Sequence, residues 1–321
     1  MNRRSLLKTV GAGALILAGM NVAQAQTFPS QAVTIIVPYA PGATDQLARG
    51  LGAEAEKILG KPVVVETRPG AGGTVGANYV AKSARPDGHT VLLAVSSVQT
   101  VAPHQNELPY GFDDLKPVAR ITTGPNIMAA RVGAPFKTLE ELVAYARKNP
   151  EKVSFASAGT GGATHLAGEA FARAAGIKLN HIPYPGVTPG VAAAVGGTVD
   201  LVLGYPQAIW PQVEGKRLVA IAQFGGTRAK VLPDLPTLKE GGVDLALPPN
   251  VGIWVRRDVP AEAVRILEDA FAKATQAPSF RALAERTWTE VDFAGSAAFA
   301  AELEAENRFY KQLLTDLGMA R

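Results

Sequence analysis

Apolar positions recur along this chain in two rhythms. Residues 33–37, Val-Thr-Ile-Ile-Val, form a β-branched run that predicts a strand. Residues 38–44 are small or turn-forming, and Thr44 or Asp45 then opens a helix with Leu47, Leu51, Ala55 and Ile58 or Leu59 at three-to-four spacing. Gly60 and Pro62 end it. Residues 63–66 read as a second strand of the buried parallel kind, followed by a glycine loop over 68–74 and a helix over 75–83. After the turn Pro86-Asp87-Gly88, residues 90–95 form a third apolar strand. Strand, loop and helix in alternation predict an α/β fold with a parallel sheet and helices on its faces.

The middle of the chain repeats the plan. Strands are expected at 126–132, 153–157, 178–184, 200–203 and 218–223, and helices at 138–149, 163–175 and 189–195. Thr138 reads as an N-cap with Glu141 three residues on, a capping box, and Ala158-Gly-Thr-Gly-Gly162 is a third glycine loop. Residues 225–249 are rich in Pro and Gly and predict no element; a strand at 252–255 and helices at 261–276, 278–285 and 297–317 follow. Two such halves imply two lobes, one of residues 26–122 plus 250–321 and one of residues 123–249, with 225–249 the less defined return. Ligands of open α/β sheets bind beyond the carboxyl ends of the strands, so the lobes would enclose a cleft. Strand-to-helix turns built on Pro and Gly are often purely structural. Three of them, at 38–45, 68–74 and 157–163, point to a cleft where backbone N–H groups and helix dipoles meet an anion.

Residues 1–25 stand apart. Arg3, Arg4 and Lys8 precede a short apolar stretch, and Ala23-Gln24-Ala25 suits cleavage, so this is an expected export signal, twin-arginine-like or Sec, with a periplasmic product. The stretch is too short for a permanent anchor. Charge looks different once it is removed. The chain has 32 Lys+Arg and 28 Asp+Glu; three of the basic residues lie in the leader, leaving 29 against 28, so nothing favours nucleic acid. With no cysteine the exported chain must hold itself by its core, for which 47% hydrophobic residues suffice.

Enzyme motifs fail on spacing. Gly70-Ala-Gly-Gly-Thr-Val-Gly76 follows a strand and opens a helix, but Val75 stands where the last glycine of a dinucleotide fingerprint belongs. Ser157 lies in Phe-Ala-Ser-Ala-Gly, short of a GxSxG elbow, which weakens a Ser157–His165 hydrolase pair. His89, His104, His165 and His181 have no zinc-ligand spacing. No catalytic residue, metal or cofactor is expected, and a binding protein is the better reading.

The residues themselves resemble a known family. Pro41-Gly42-Ala43-Thr44-Asp45 with Ala48-Arg49, Val64 through Gly73, Pro86-Asp87-Gly88-His89-Thr90, Leu108-Pro109-Tyr110, Ser157 through His165-Leu166, His181-Ile182-Pro183-Tyr184 with Gly186, Gly197 with Val199-Asp200, and Leu232 through Thr237 follow, in order, the pattern of Bug/TctC-type receptors. These are the solute-binding proteins of tripartite tricarboxylate transporters. The resemblance implies a two-lobed type II periplasmic binding-protein fold, monomeric, closing on a small carboxylate and delivering it to membrane permease subunits. A role as ligand sensor for a sensor kinase is the alternative, and a secreted serine hydrolase a third. It also implies a ligand set: Tyr39, Pro41, Gly42, Ala43, Thr44, Asp45, Ala71, Gly72 and Gly73 from the first lobe, and Ser157, Thr160, His165, Tyr184, Gly204 and Tyr205 from the second. Thr44 would donate its hydroxyl to a carboxylate, and Asp45 would cap the helix in preference to touching ligand. Pro185 stands where members often carry a basic residue, Gly204 where they carry an aspartate, and Pro249-Asn250-Val251-Gly252 lacks the usual tryptophan. Loss of that acid leans toward a plain or aromatic carboxylate over an amino acid.

Overall fold

The computed structural model describes residues 28–321, and the expected leader lies outside them. Two sheets organise the chain. Strands β1 (Val33–Val37), β2 (Val63–Thr67), β3 (Thr90–Val95) and β4 (Leu115–Thr123) belong to the first. The second holds β5 (Ile127–Arg131), β6 (Ser154–Ser157), β7 (Asn180–Pro183), β8 (Leu201–Gly204) and β9 (Leu218–Gln223), after which β10 (Asn250–Arg256) and β11 (Glu290–Gly295) rejoin the first. Their orders are β11-β4-β10-β3-β1-β2 and β7-β6-β8-β5-β9.

In the first sheet β1 pairs parallel with β2 and β3, while β10 runs antiparallel between β3 and β4. Successive strand residues face opposite sides. Ile35 and Val37 therefore meet Leu47, Leu51, Leu267 and Phe271 on one face, and Ile36 meets Trp254, Phe299 and Leu303 on the other. The second sheet is sandwiched in the same way. Met128, Phe155 and Leu203 lie under the helix Ala163–Ala175, and Ala129, Val202 and Ile209 line the opposite face.

Several elements differ from the sequence expectation. β2 is an edge strand with two of its five residues exposed and none buried; Val64 is 51% exposed. β4, β11 and the helix Pro206–Glu214 are additional. The capping box at Thr138 is half formed: Glu141 N–H donates to Thr138 Oγ1 at 3.2 Å, but the Glu141 carboxylate accepts from Lys137 N–H at 2.7 Å. The helix Ser296–Asp316 begins against the first sheet through Phe299 and Leu303 and ends with Tyr310, Leu313 and Leu314 in the second lobe's core. Assigning all of residues 250–321 to the first lobe therefore does not describe its last turns.

Among the described residues, no helix is long and apolar enough to cross a membrane. The chain passes between the lobes after β4 and again before β10. There Gly124 N–H donates to the Pro249 carbonyl at 3.3 Å, tying the two passages together.

Candidate functional site

The first junction leads from β1 into the helix Ala43–Leu59. Its first ladder bond is Gln46 N–H to the Gly42 carbonyl at 2.9 Å, so the N–H groups of the opening turn have no acceptor within the helix. Asp45 does not cap them. Gly42 is the N-cap and makes no side-chain bond, whereas Asp45 takes Arg49 in a bidentate pair, with both N–O distances 3.0 Å. One turn apart on a single helix face, the two charges satisfy each other.

Four positive-φ residues shape the second junction: Gly70, Ala71, Gly72 and Gly73. Gly73 lies against Tyr39, where a β-carbon would come within 2.9 Å of the ring. The Tyr39 oxygen accepts from Val95 N–H at 3.2 Å, which leaves its own proton free to donate elsewhere. Burial pushes the Tyr39 phenol well above its usual range and raises that of Tyr205 too, so both are neutral donors.

At the third junction the sequence supplies acceptors for a strained loop. Gly159 N–H donates to Ser157 Oγ at 3.2 Å, Ala158 N–H to Thr164 Oγ1 at 2.8 Å and Gly161 N–H to His165 Nδ1 at 3.0 Å. Accepting at Nδ1 places the neutral ring's proton on Nε2, 3.5 Å from Glu169 Oε1. Ser157 Oγ also shares a 2.7 Å hydrogen bond with His181 Nε2, and the His165 and His181 rings stack 3.8 Å apart. Burial, then the neighbouring His165, lower the His181 pKa to about 4. Ser157 is thus paired with His181 and not His165, and at 1% exposure it is no accessible nucleophile.

Two adjoining chambers occupy the cleft. One, of about 350 Å³, is lined from both lobes by Ala71, Gly72, Thr74, Ser97, Val101, Ala102, Gln105, Asn106, Thr160, Gly161 and Ala163. The other, of about 240 Å³, takes Thr44 and Leu47 from the first helix, Gly124 and Pro125 from one interlobe passage, and Pro206, Gln207, Val251, Trp288 and Thr289. Tyr39, Val95 and Tyr205 border both, and among the described residues no charged side chain lines either.

Of the expected set, Tyr39, Thr44, Ala71, Gly72, Thr160 and Tyr205 meet at these chambers. Pro41 and Gly42 lie exposed in the first loop, and Ala43 begins the helix. Asp45, Gly73, Ser157 and His165 build the loops from behind, and Tyr184 packs on the second lobe's core. Gly204 is buried, and a β-carbon there would come within 2.4 Å of Val187, which leaves no room for an aspartate. Leu47, Val95, Ser97, Gln105, Asn106, Pro206, Gln207 and Trp288 carry no motif. The readable hint was Tyr205-Pro206 after β8, with Pro206 at the first helical position.

Comparison with known proteins places this arrangement. Residues 47–314 match the model of the tripartite tricarboxylate transporter family receptor. The chain belongs to that receptor family. A UPF0065 protein of Bordetella pertussis is 34% identical over 279 residues, 86% of each chain. The solved TctC solute-binding protein from Polaromonas is similar at 30% identity and a TM-score of 0.82, over 90% of this chain and 100% of that one. MatC of Rhodopseudomonas palustris, solved with bound malate, is 28% identical with a TM-score of 0.72, over 89% of this chain and 100% of its own. Receptors of this tripartite tricarboxylate family are extracytoplasmic solute-binding proteins and not enzymes. The two lobes are those of a type II periplasmic binding protein.

Proposed function

We propose that this receptor binds a small carboxylate in the cleft between its lobes and delivers it to the membrane permease of a tripartite tricarboxylate-type transporter. The observation that carries the reading is the lining of the two chambers, which offers hydroxyls, carboxamides, two neutral phenols and glycine-loop backbone and, among the described residues, no acidic side chain to repel an anion. Tyr39, Thr160 and Tyr205 donate to the carboxylate, assisted by the backbone N–H groups of Gly72 and of the opening helical turn at Ala163. Hydrogen bonds to a charged group contribute about 1.5–3 kcal/mol each, so several of them reach the roughly 8 kcal/mol of micromolar affinity without an arginine. MatC, with its malate, supports this class of ligand.

Thermal and chemical unfolding of the purified receptor against mono-, di- and tricarboxylates tests it. A true ligand at a hundredfold excess over Kd adds about 2.7 kcal/mol of stability. Silence across the panel, together with unchanged carboxylate uptake in cells lacking the protein, overturns it.

A further inference from the structure

The two chambers differ in chemistry, and that difference selects among carboxylates. The larger one is mixed, with Thr74, Ser97, Gln105, Asn106 and Thr160 set among Val101, Ala102 and Ala163, whereas Leu47, Val95, Pro125, Pro206, Val251 and Trp288 dominate the smaller. Its own polar members, Thr44, Gln207 and Thr289, are all neutral, as are Tyr39 and Tyr205, which it shares with the larger chamber. At about 240 Å³ it exceeds the ~150 Å³ that takes up benzene in an engineered protein cavity. A charged group placed there would give up hydration against a mostly apolar wall, whereas the larger chamber offers more hydroxyls and carboxamides in exchange.

Trp288 makes the chamber's wall at a conformational cost. It sits at φ +54, just past the end of the helix Pro278–Arg286. Trp288 N–H donates to the Glu285 carbonyl at 3.0 Å and Thr289 N–H to the Ala284 carbonyl at 2.9 Å, the paired bonds of a Schellman ending. That position is ordinarily glycine, and a left-handed conformation is an outlier for a bulky residue. The ring is half-buried and meets Trp210 of the second lobe with centroids 6.1 Å apart, so it spans the cleft. Helix termination alone would be better served by glycine; a tryptophan retained there is retained for its side chain.

Building on the carboxylate reading above, we infer that this receptor selects monocarboxylates with an apolar body, aromatic ring or alkyl chain, seated against Trp288 while the carboxylate occupies the polar chamber. Trp288 is a specificity-determining residue.

The experiment compares benzoate and hexanoate with malonate and adipate by calorimetry, on the parent protein and on Trp288→Gly and Trp288→Ala. Benzoate or hexanoate is expected to bind at least tenfold more tightly than either diacid. Trp288→Gly, which relieves the backbone, is expected to keep or raise the Tm while weakening benzoate and hexanoate at least tenfold and the diacids less than twofold. Trp288→Ala has the same binding pattern without the gain in Tm. Diacids binding as well as the monoacids, or a Trp288→Gly effect equal on both groups, overturns the inference and leaves the carboxylate reading standing. Absence of binding by all four, and by every other carboxylate, removes both.

Discussion

Gly73 and Gly42 look alike in the sequence and differ in what they do. Gly73 has φ +100, and a β-carbon there would meet the Tyr39 ring at 2.9 Å and Val98 at 3.0 Å. Gly42 has φ 176, ordinary extended backbone, with no atom nearer a β-carbon than 3.8 Å. Gly73→Ala should therefore cost about 1–2 kcal/mol in backbone conformation and displace Tyr39 from the cleft, with ligand affinity falling at least tenfold. Gly42→Ala should change neither; calorimetry and thermal unfolding of the two variants check the contrast. His181 makes a prediction of another kind. Its folded pKa of about 4 lies below the ordinary 6.5, so between these values the unfolded chain holds more protons. Stability is then full above pH 6.5 and falls as pH drops toward 4. The carboxyl of Glu306 is raised by burial and acts with the opposite sign, so the readout is the difference between variant and parent. His181→Gln should flatten the loss of stability measured by denaturant at pH 7, 5.5 and 4.5; an unchanged slope would count against a neutral His181. Glycine loops were legible as strand-to-helix junctions because glycine marks backbone that must bend. The supporting roles of Ser157 and His165 were not, since their partners, Gly159, Gly161 and His181, follow from a turn geometry that spacing does not encode.

The helix Ser296–Asp316 has a divided loyalty: its first half packs on Trp254 and its last turns lie among Phe171, Phe224 and Leu238. Leu314 is fully buried in the second lobe although it stands seven residues from the C-terminus. Leu314→Ala should cost about 2–5 kcal/mol. Hydrogen exchange should locate the loss, with faster exchange in β5 to β9 and β1 to β3 unchanged. Equal acceleration in both sheets would show that the lobes unfold as one unit. Elements with clean periodicity, such as β1, β3, β9 and the helix Ala163–Ala175, were legible to the residue. The missed ones carry their own disguise. β4 contains Pro117, the helix Pro206–Glu214 contains Pro211, and β11 is half-buried along its whole length, so no alternation marks it. Proline in such positions argues against the element it occupies, and only tertiary packing overrides it.

Two passages, after β4 and before β10, join the lobes, which also meet through the last turns of the helix Ser296–Asp316, through Trp210 with Trp288 and through Lys230 with Glu290 at 3.4 Å. Lobes linked in this way move relative to one another unless a large apolar interface prevents it. Solution scattering should accordingly show a smaller radius of gyration when a bound carboxylate is added; an identical value with and without it rules out closure. The two-lobe plan was legible from repeated strand-loop-helix units. The bridging helix was not, because a 3.6-residue period shows which residues are buried and not against which lobe. That helix also sets an order in time. The first sheet waits for β10 and β11, and the second lobe's core waits for Tyr310, Leu313 and Leu314. Although domains generally fold as they emerge from the ribosome, the second lobe of this chain cannot complete its core before Tyr310, Leu313 and Leu314 are made. A newly synthesised copy therefore keeps its second lobe unlocked until the chain has been made through Leu314, while the first sheet can already close.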